Sequence, residues 1–577
     1  MDKWIFSWNS QEDLDAFRYF GCHREGGNTT FRVWAPGVER VFVTGIFCGW
    51  EPCRFPMEQV APGIFEATLP DVREYDAYKY VIQTADGRQF FKSDPFAVHA
   101  ETPPANASKV YCLDGYEWND AKWMSRRGSS ECRSLSLYEV HAGSFRTYAS
   151  GEPLNYKNLA SELIPYVKEM GYSGICLLPV LEHLDGSSGG YRTTGFFAPT
   201  SRYGTPRDFL DFICACHQAD LSVWLEWSPE GFPVDDFGLA DFTGARCYEA
   251  GDDAERSDFR RFDYESASVR GFLLSSALFL LKQCHADGIR VCGSGRVAKR
   301  TGGLEFLREL TCRIAADFPG VLTAGEVPEA GFSLLWKEEP GRILLDFAAG
   351  GGESPKSPNQ NDERLLAVSQ QFQAGLGDSL IGWMPGSYEE KFSRLRAAMT
   401  VFYAAPGKKL LFMGNEFAQF SPWTPTHELD WMLLDYEMHR KFQHFIRQLN
   451  DFYRKTPAMW GKQEGEAFSP IRFPEHPLLL AFSRKDPAGN EFFTLANFGT
   501  SEEELLLGVD RRGKYTELFS TDEIKYGGEG RLNGTAFAKL RPAQGKPFCV
   551  EAVLPPLSAV YLYKSAGPSR QAGPTSG

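Results

Sequence analysis

Between about residues 135 and 460, short apolar runs alternate with amphipathic stretches, and this alternation constrains the fold more than any other feature of the chain. The runs are Leu137-Tyr138-Glu139-Val140, Gly174-Ile175-Cys176-Leu177-Leu178, Ser222-Val223-Trp224-Leu225-Glu226, Val321-Leu322-Thr323-Ala324 and Lys409-Leu410-Leu411-Phe412. Among the helical stretches are Asn158 to Met170, Pro206 to Ala219, Ser266 to His285 and Leu304 to Asp317. A strand apolar on both sides must be covered on both sides, so the pattern predicts parallel strands wrapped by helices. At this length the expected fold is a (β/α)8 barrel, whose chemistry gathers where strands end and loops begin.

The flanks read differently. From about 28 to 98, apolar and polar residues alternate with period two, as in Thr30-Phe31-Arg32-Val33-Trp34, Val41-Phe42-Val43, Gly63-Ile64-Phe65-Glu66-Ala67 and Tyr78-Lys79-Tyr80-Val81-Ile82. Gly, Pro and Asp separate the runs, which predicts an antiparallel β-sandwich. Strand-like runs return beyond about 463, in Leu478 to Phe482, Glu491 to Phe498 and Ala559 to Tyr563. A chain of 577 residues is too long for one core. The expected division is an N-terminal sandwich over 1–115, the barrel over 116–462, a C-terminal sandwich over 463–564 and a disordered Gly/Pro/Ser-rich tail over 565–577.

A net charge of −14 argues against nucleic acid or an anionic membrane as partner. No apolar run approaches the roughly 20 residues that span a bilayer. Met1-Asp2-Lys3-Trp4 has no signal-peptide layout, so a cytoplasmic location is expected. The 13 cysteines lack the spacing of a zinc site or a disulfide framework, and Cys214 and Cys216 read as core, so neither metal nor cofactor is expected. Thirteen tryptophans offer flat rings to the apolar faces of sugars, although a large core alone accounts for them.

Phe31-Arg32-Val33-Trp34-Ala35-Pro36, Phe47-Cys48-Gly49-Trp50 and Tyr78-Lys79-Tyr80 together resemble a family 48 carbohydrate-binding module. Trp34 reads as core, whereas Trp50, in a Gly-containing loop, is open between core and sugar contact. The barrel carries Tyr138-Glu139-Val140-His141-Ala142-Gly143-Ser144-Phe145, Leu178-Pro179-Val180-Leu181-Glu182-His183, and a run from Gly190-Tyr191-Arg192-Thr193-Thr194-Gly195 to Tyr203-Gly204-Thr205-Pro206. With Pro406 to Gly414 and Glu428-Leu429-Asp430-Trp431, these resemble the glycogen branching enzymes of glycoside hydrolase family 13.

The resemblance implies retaining cleavage of an α-glucosidic bond, which needs a carboxylate nucleophile and a carboxylic acid to protonate the leaving oxygen. It implies a third carboxylate on the sugar hydroxyls, and a second glucan's 6-hydroxyl as acceptor. The stretch His285-Ala286-Asp287-Gly288-Ile289-Arg290-Val291-Cys292 reads as a helix end, a Gly turn and a short buried strand delivering Arg290 and Cys292. The family pattern is Asp-Gly-Leu-Arg-Val-Asp, so Arg290 is kept while Cys292 stands at the nucleophile's place. Glu326 falls at the acid/base position. Counting back from Ser379-Leu380-Ile381-Gly382-Trp383-Met384-Pro385-Gly386, the family's His-Asp pair falls on Gln370 and Gln371, with Phe372 next. Where the family has Asp, and His five positions later, this chain has Glu226 and Gly231. Tyr191 matches the aromatic platform beneath the sugar, or else packs into the barrel mouth. The loops after Cys292 and Glu326 read as shortened, and Ala348 to Pro358 departs from the family pattern.

These residues imply a protein for glycogen or starch-like α-glucan whose catalytic site is dismantled, leaving glucan binding or association with an active glycogen enzyme. Sulfinic oxidation of Cys292 would return an anionic oxygen there. The alternative is an active 1,4-α-glucan branching enzyme working through relocated carboxylates such as Glu226 or Asp378. A third class, a structural or regulatory protein, would bind no glucan.

Overall fold

A computed structural model describes residues 15–128, 134–251, 258–351, 364–460, 468–486 and 488–565. The expected disordered tail beyond Ser565 and the part of the 348–358 loop from 352 onward lie outside the described residues.

Eight parallel strands close into the expected barrel: β1 (Ser136–Val140), β2 (Gly174–Leu177), β3 (Ser222–Trp227), β4 (Gly288–Val291), β5 (Leu322–Gly325), β6 (Leu334–Lys337), β7 (Arg364–Val368) and β8 (Lys408–Phe412). The ring closes where β1 pairs with β8, Leu137 beside Leu410. Leu137, Cys176, Trp224, Ala324, Leu334, Trp336, Leu365, Ala367 and Leu410 fill the interior. The helices expected after β1, β2 and β5's predecessor β4 are present as Tyr156–Glu169, Pro206–Gln218 and Gly303–Asp317, and Ala267–Lys282 precedes β4. Asn155 and Thr205 cap two of them by accepting the N–H of Asn158 and Asp208, which satisfies donors that a helix start leaves open.

Strands β6 and β7 escape the sequence pattern, and for β6 the reason is physical; β7 escapes it although the helix Glu339–Ala348 precedes it. Residues 326–333 joining β5 to β6 carry only a single turn, Pro328–Ala330, where the repeat would place a helix. Without a helical period on its N-terminal side, a four-residue strand has no periodicity to mark it. The shortened connection after Glu326 is this missing helix.

The opening of β4 also differs from expectation. The turn is made by His285, whose φ of 54° lies in the left-handed region, and Gly288 is the first residue of the strand. Glycine is required at 288 because a Cβ there would stand 2.4 Å from the Trp224 ring. Below this end of the barrel, His217 bonds Asp120 at 2.9 Å and Asp287 at 3.0 Å, and His285 bonds Asp120 at 2.8 Å. Trp118 stacks on His285 at 3.8 Å, so the incoming linker is held against the barrel floor.

The N-terminal sandwich has one sheet of Gly21–Glu25, Asn28–Trp34, Ile64–Pro70 and Glu58–Ala61, and a second built around Arg40–Gly45 and Ala77–Gln83. Its core, with Phe31, Val33, Tyr78 and Ile82, is continuous with the barrel's outer layer. Phe96 stacks on Phe197 at 4.9 Å, and Trp34 meets Tyr248 edge-on at 5.4 Å. Trp50 is 39% exposed. The C-terminal domain sets a six-stranded sheet against the pair Glu503–Val509 and Phe548–Leu554, around Leu495, Leu507, Val550 and Val560. Among the described residues, no helix is long and apolar enough to cross a membrane.

Candidate active site

At the C-terminal ends of the strands, five of the expected site residues form one network around Arg290, which is 1% exposed. Glu226 lies opposite Arg290 in the β3–β4 register. Arg290 Nη1 donates to Glu226 Oε1 at 2.7 Å and to Cys292 Sγ at 3.3 Å, while Nη2 donates to Gln371 Oε1 at 2.7 Å. The second oxygen of Glu226 accepts the Tyr191 hydroxyl at 2.6 Å and the Cys292 thiol at 3.3 Å. Both carboxylate oxygens are therefore committed.

Cys292 is 2% exposed. Burial pushes its thiol well above the usual range, Arg290 pulls the other way, and the Glu226 charge adds to the rise. Burial followed by the Glu226 charge raises the Tyr191 phenol as well, which keeps it a donor. Beneath the network, Glu139 accepts the backbone N–H of Gln370 at 2.6 Å. Burial and then the Glu226 charge push the Glu139 carboxyl well up, against the opposing pull of Arg290. Gln371 opens the helix Gln370–Leu376, capped by Ser369, whose hydroxyl accepts the Phe372 N–H at 3.1 Å.

Glu326 follows β5 and is half-buried, outside the Arg290 network. The N–H of Gly295 donates to its Oε2 at 2.8 Å, and its own N–H donates to Ser294 Oγ at 2.9 Å. The short helix Ser294–Val297 after Cys292 is thereby pinned to Glu326. Asp378 is spent locally, accepting the N–H of Ser379 at 2.7 Å. Of the two relocated carboxylates considered, only Glu226 reaches the thiol.

Three features were not legible as site features. The ring of Trp336, on the unforeseen β6, lies under the Arg290 guanidinium, 3.7 Å from Cζ to the ring centroid. Trp423 donates to Ser144 Oγ at 2.9 Å, and the same hydroxyl bonds His141 Nδ1 at 2.8 Å, so a ring stands beside the cleft from a loop without a motif. Glu230 holds Arg296 in a two-pronged ion pair at 2.7 and 2.6 Å, tying the loops after β3 and β4 together. The charge pair at 230 and 296 was the available signal, but only the fold brings it together.

The match over residues 19–97 to "Carbohydrate-binding module 48 (Isoamylase N-terminal domain)" agrees with the first sandwich, and that over 475–565 to "Alpha amylase, C-terminal all-beta domain" with the second. The chain is 37% identical over 585 residues to 1,4-alpha-glucan branching enzyme GlgB 2 of Xanthomonas campestris pv. campestris, covering 92% of this chain and 80% of the relative. The chain belongs to the 1,4-alpha-glucan branching enzyme family. A further member of this branching-enzyme family, from Bacillus caldolyticus, is 35% identical, with 97% of this chain and 91% of the relative covered. Among solved structures, the fold matches apo pullulanase from Paenibacillus barengoltzii with a TM-score of 0.76 at 17% identity, covering 95% of this chain and 94% of that one. It also matches a putative alpha amylase from Salmonella typhimurium with a TM-score of 0.73 at 18% identity, covering 94% and 99%.

Chemically, the site offers Glu226 locked to Arg290 and Tyr191, a neutral thiol, a neutral amide, the Glu139 carboxyl beneath them and, just after the adjacent strand, Glu326. This is a set suited to hydrogen-bonding hydroxyl groups. The carboxylate bonded to the thiol, Glu226, has both oxygens engaged.

Proposed function

We propose that this chain binds α-glucan in a branching-enzyme cleft that no longer performs the family's glycosyl transfer. The observation carrying this reading is the hydrogen bonding of Glu226. It is the carboxylate beside Cys292, and both its oxygens are held, by Arg290 at 2.7 Å and Tyr191 at 2.6 Å. A nucleophile must bring a free oxygen to about 3–3.5 Å from the reacting carbon. The buried thiol and the Gln371 amide put no negative charge beside a developing oxocarbenium ion. Each missing charge forgoes about 4 kcal/mol of attraction at roughly 4 Å with an effective dielectric near 20. That is about three decades in rate apiece.

The relatives' name, 1,4-alpha-glucan branching enzyme, and the match to carbohydrate-binding module 48 support glucan as the ligand. So does a fold neighbour at TM-score 0.75, a pullulanase from Bacillus subtilis solved with maltose. In this reading the half-buried Tyr191 ring is the sugar platform, Gln371, Gln370 and Arg290 serve sugar hydroxyls, and Glu326 keeps the acid/base place without a nucleophile to serve. A location in the cytoplasm, in association with active glycogen enzymes, fits such a protein.

One observation favours a second reading, an active branching enzyme. Glu at 226 is a methylene longer than Asp, and its Oε2 comes within 3.3 Å of Cys292 Sγ. Purified protein incubated with amylose decides between them. The proposal expects no new α-1,6 linkages and no new reducing ends. Turnover abolished by both Glu226→Gln and Glu326→Ala would establish the second reading.

A further inference from the structure

A cavity of about 310 Å³ opens between the N-terminal sandwich and the outside of the barrel. Its barrel wall is Phe279 and Gln283, at the C-terminal end of the helix Ala267–Lys282, which leads into the start of β4. It therefore lies toward the opposite end of the barrel from Cys292. The sandwich side supplies three cations, Arg18, Arg24 and Lys109, against a single lining carboxylate, Asp114; the His23 imidazole beside them is turned to the Phe20 carbonyl at 2.9 Å. These cations are loosely held. Arg24 stands 3.8 Å from Glu74 with both side chains 35% exposed, and Arg18 stands 3.7 Å from Asp15 while itself 56% exposed. Among the described residues, Lys109 pairs with no acid.

We propose that this cavity binds a phosphorylated monosaccharide. Lys109 without an acid partner, and two arginines held only by long, partly exposed ion pairs, can turn to an anion, and Arg and Lys together suit phosphate oxygens. The cavity is at the small end of the ~300–1,000 Å³ typical of ligand sites, which suits a ligand of one sugar ring. A helix C-terminus carries partial negative charge. The phosphate accordingly belongs on the Arg24–Lys109 side, with the hydroxyls toward the Gln283 amide and Asp114. Because its walls come from two domains, the bound ligand fastens the sandwich to the barrel, beside the ion pair of Lys282 with Asp15.

The test uses the full-length protein, titrated calorimetrically with glucose 6-phosphate, glucose 1-phosphate, inorganic phosphate and glucose. The expected result is saturable binding of a sugar phosphate with Kd below about 1 mM, weaker binding of phosphate and none of glucose. Lys109→Gln with Arg24→Gln, checked for an unchanged circular dichroism spectrum, should weaken sugar-phosphate binding at least tenfold. In the unmodified protein, glucose 6-phosphate should protect Lys109 from amine acylation, read by mass spectrometry. No binding of either sugar phosphate, inorganic phosphate binding as tightly as they do, or acylation of Lys109 unaffected by saturating ligand would each overturn the proposal.

Discussion

Restoring the expected nucleophile by Cys292→Asp alone should fail, because of Glu226. The new carboxylate would sit where Sγ now lies, 3.3 Å from Arg290 Nη1 and 3.3 Å from Glu226 Oε2. At an effective dielectric near 20, each contact is worth about 5 kcal/mol with opposite sign, so they cancel. What remains is the desolvation of a second buried carboxylate, several kcal/mol uncompensated. Cys292→Asp should therefore lower the unfolding free energy by about 2–4 kcal/mol at pH 7. Shortening the neighbour by Glu226→Asp withdraws the opposing charge by about one methylene. In the double variant, roughly 1–3 kcal/mol should be recovered as a coupling energy between the two sites. Urea unfolding of the four members of the cycle measures this. Amylose branching by the same proteins, with Gln371→Asp added to each, reads the function, and turnover should rise at least ~10³-fold only where positions 226, 292 and 371 are all Asp. A Cys292→Asp single variant as stable as wild type, and as active as the triple variant, would refute this account of Glu226.

Other outcomes follow from single positions. Tyr191→Phe keeps the ring and loses the bond to Glu226, so glycogen affinity by affinity electrophoresis should change less than about threefold, while Tyr191→Ala should weaken it about tenfold or more. Glu416 is fully buried, accepting the hydroxyls of Tyr138 at 2.9 Å and Tyr166 at 2.6 Å. Burial raises it to about 7 despite those bonds. An acid with a raised folded pKa contributes its stability below the unfolded value of about 4.5 and loses it as pH climbs through 7, here roughly 3 kcal/mol. Glu416→Gln should abolish that decline between pH 4.5 and 7 in urea titrations. Burial disfavours charge on His217, but its bonds to Asp120 and Asp287 hold it above the usual histidine value. Its contribution is full below about pH 6.5 and disappears as pH rises through the raised folded value. Asp120 is opposed by burial yet depressed by His217 and His285, so its contribution is present above about pH 3.8 and lost as acid titrates it. His217→Ala should cost about 3–5 kcal/mol at pH 6 and less at alkaline pH, read by the same titration.

The barrel was legible where a strand kept its helix. β1 to β3 announce themselves by apolar runs followed by helical period, and β4 by the motif around Arg290. β6 did not, since Pro328–Ala330 replaces the helix before it and so short a strand without that helix carries no readable alternation; β7 escaped notice although the helix Glu339–Ala348 precedes it. The Gly288 turn was misplaced because glycine signals either φ freedom or close approach, and only the Trp224 ring above it separates the two. Motif spacing singled out Arg290, Gln371 and Glu226, and the fold brings these three side chains into hydrogen-bonding contact. Their engagement was not legible in the sequence. That Glu226 bonds Tyr191, that Trp336 lies under Arg290 and that Glu230 clamps Arg296 depend on residues from different strands meeting at one end of a closed ring, which no local pattern records.

The most direct test of the central claim pairs two readings on one sample of the unmodified protein with amylose. Equilibrium binding is measured by calorimetry, and α-1,6 anomeric protons are followed by NMR over a long incubation. Saturable binding with no growth of the α-1,6 signal is the predicted result. Growth of that signal at a rate abolished by Glu326→Ala would contradict it.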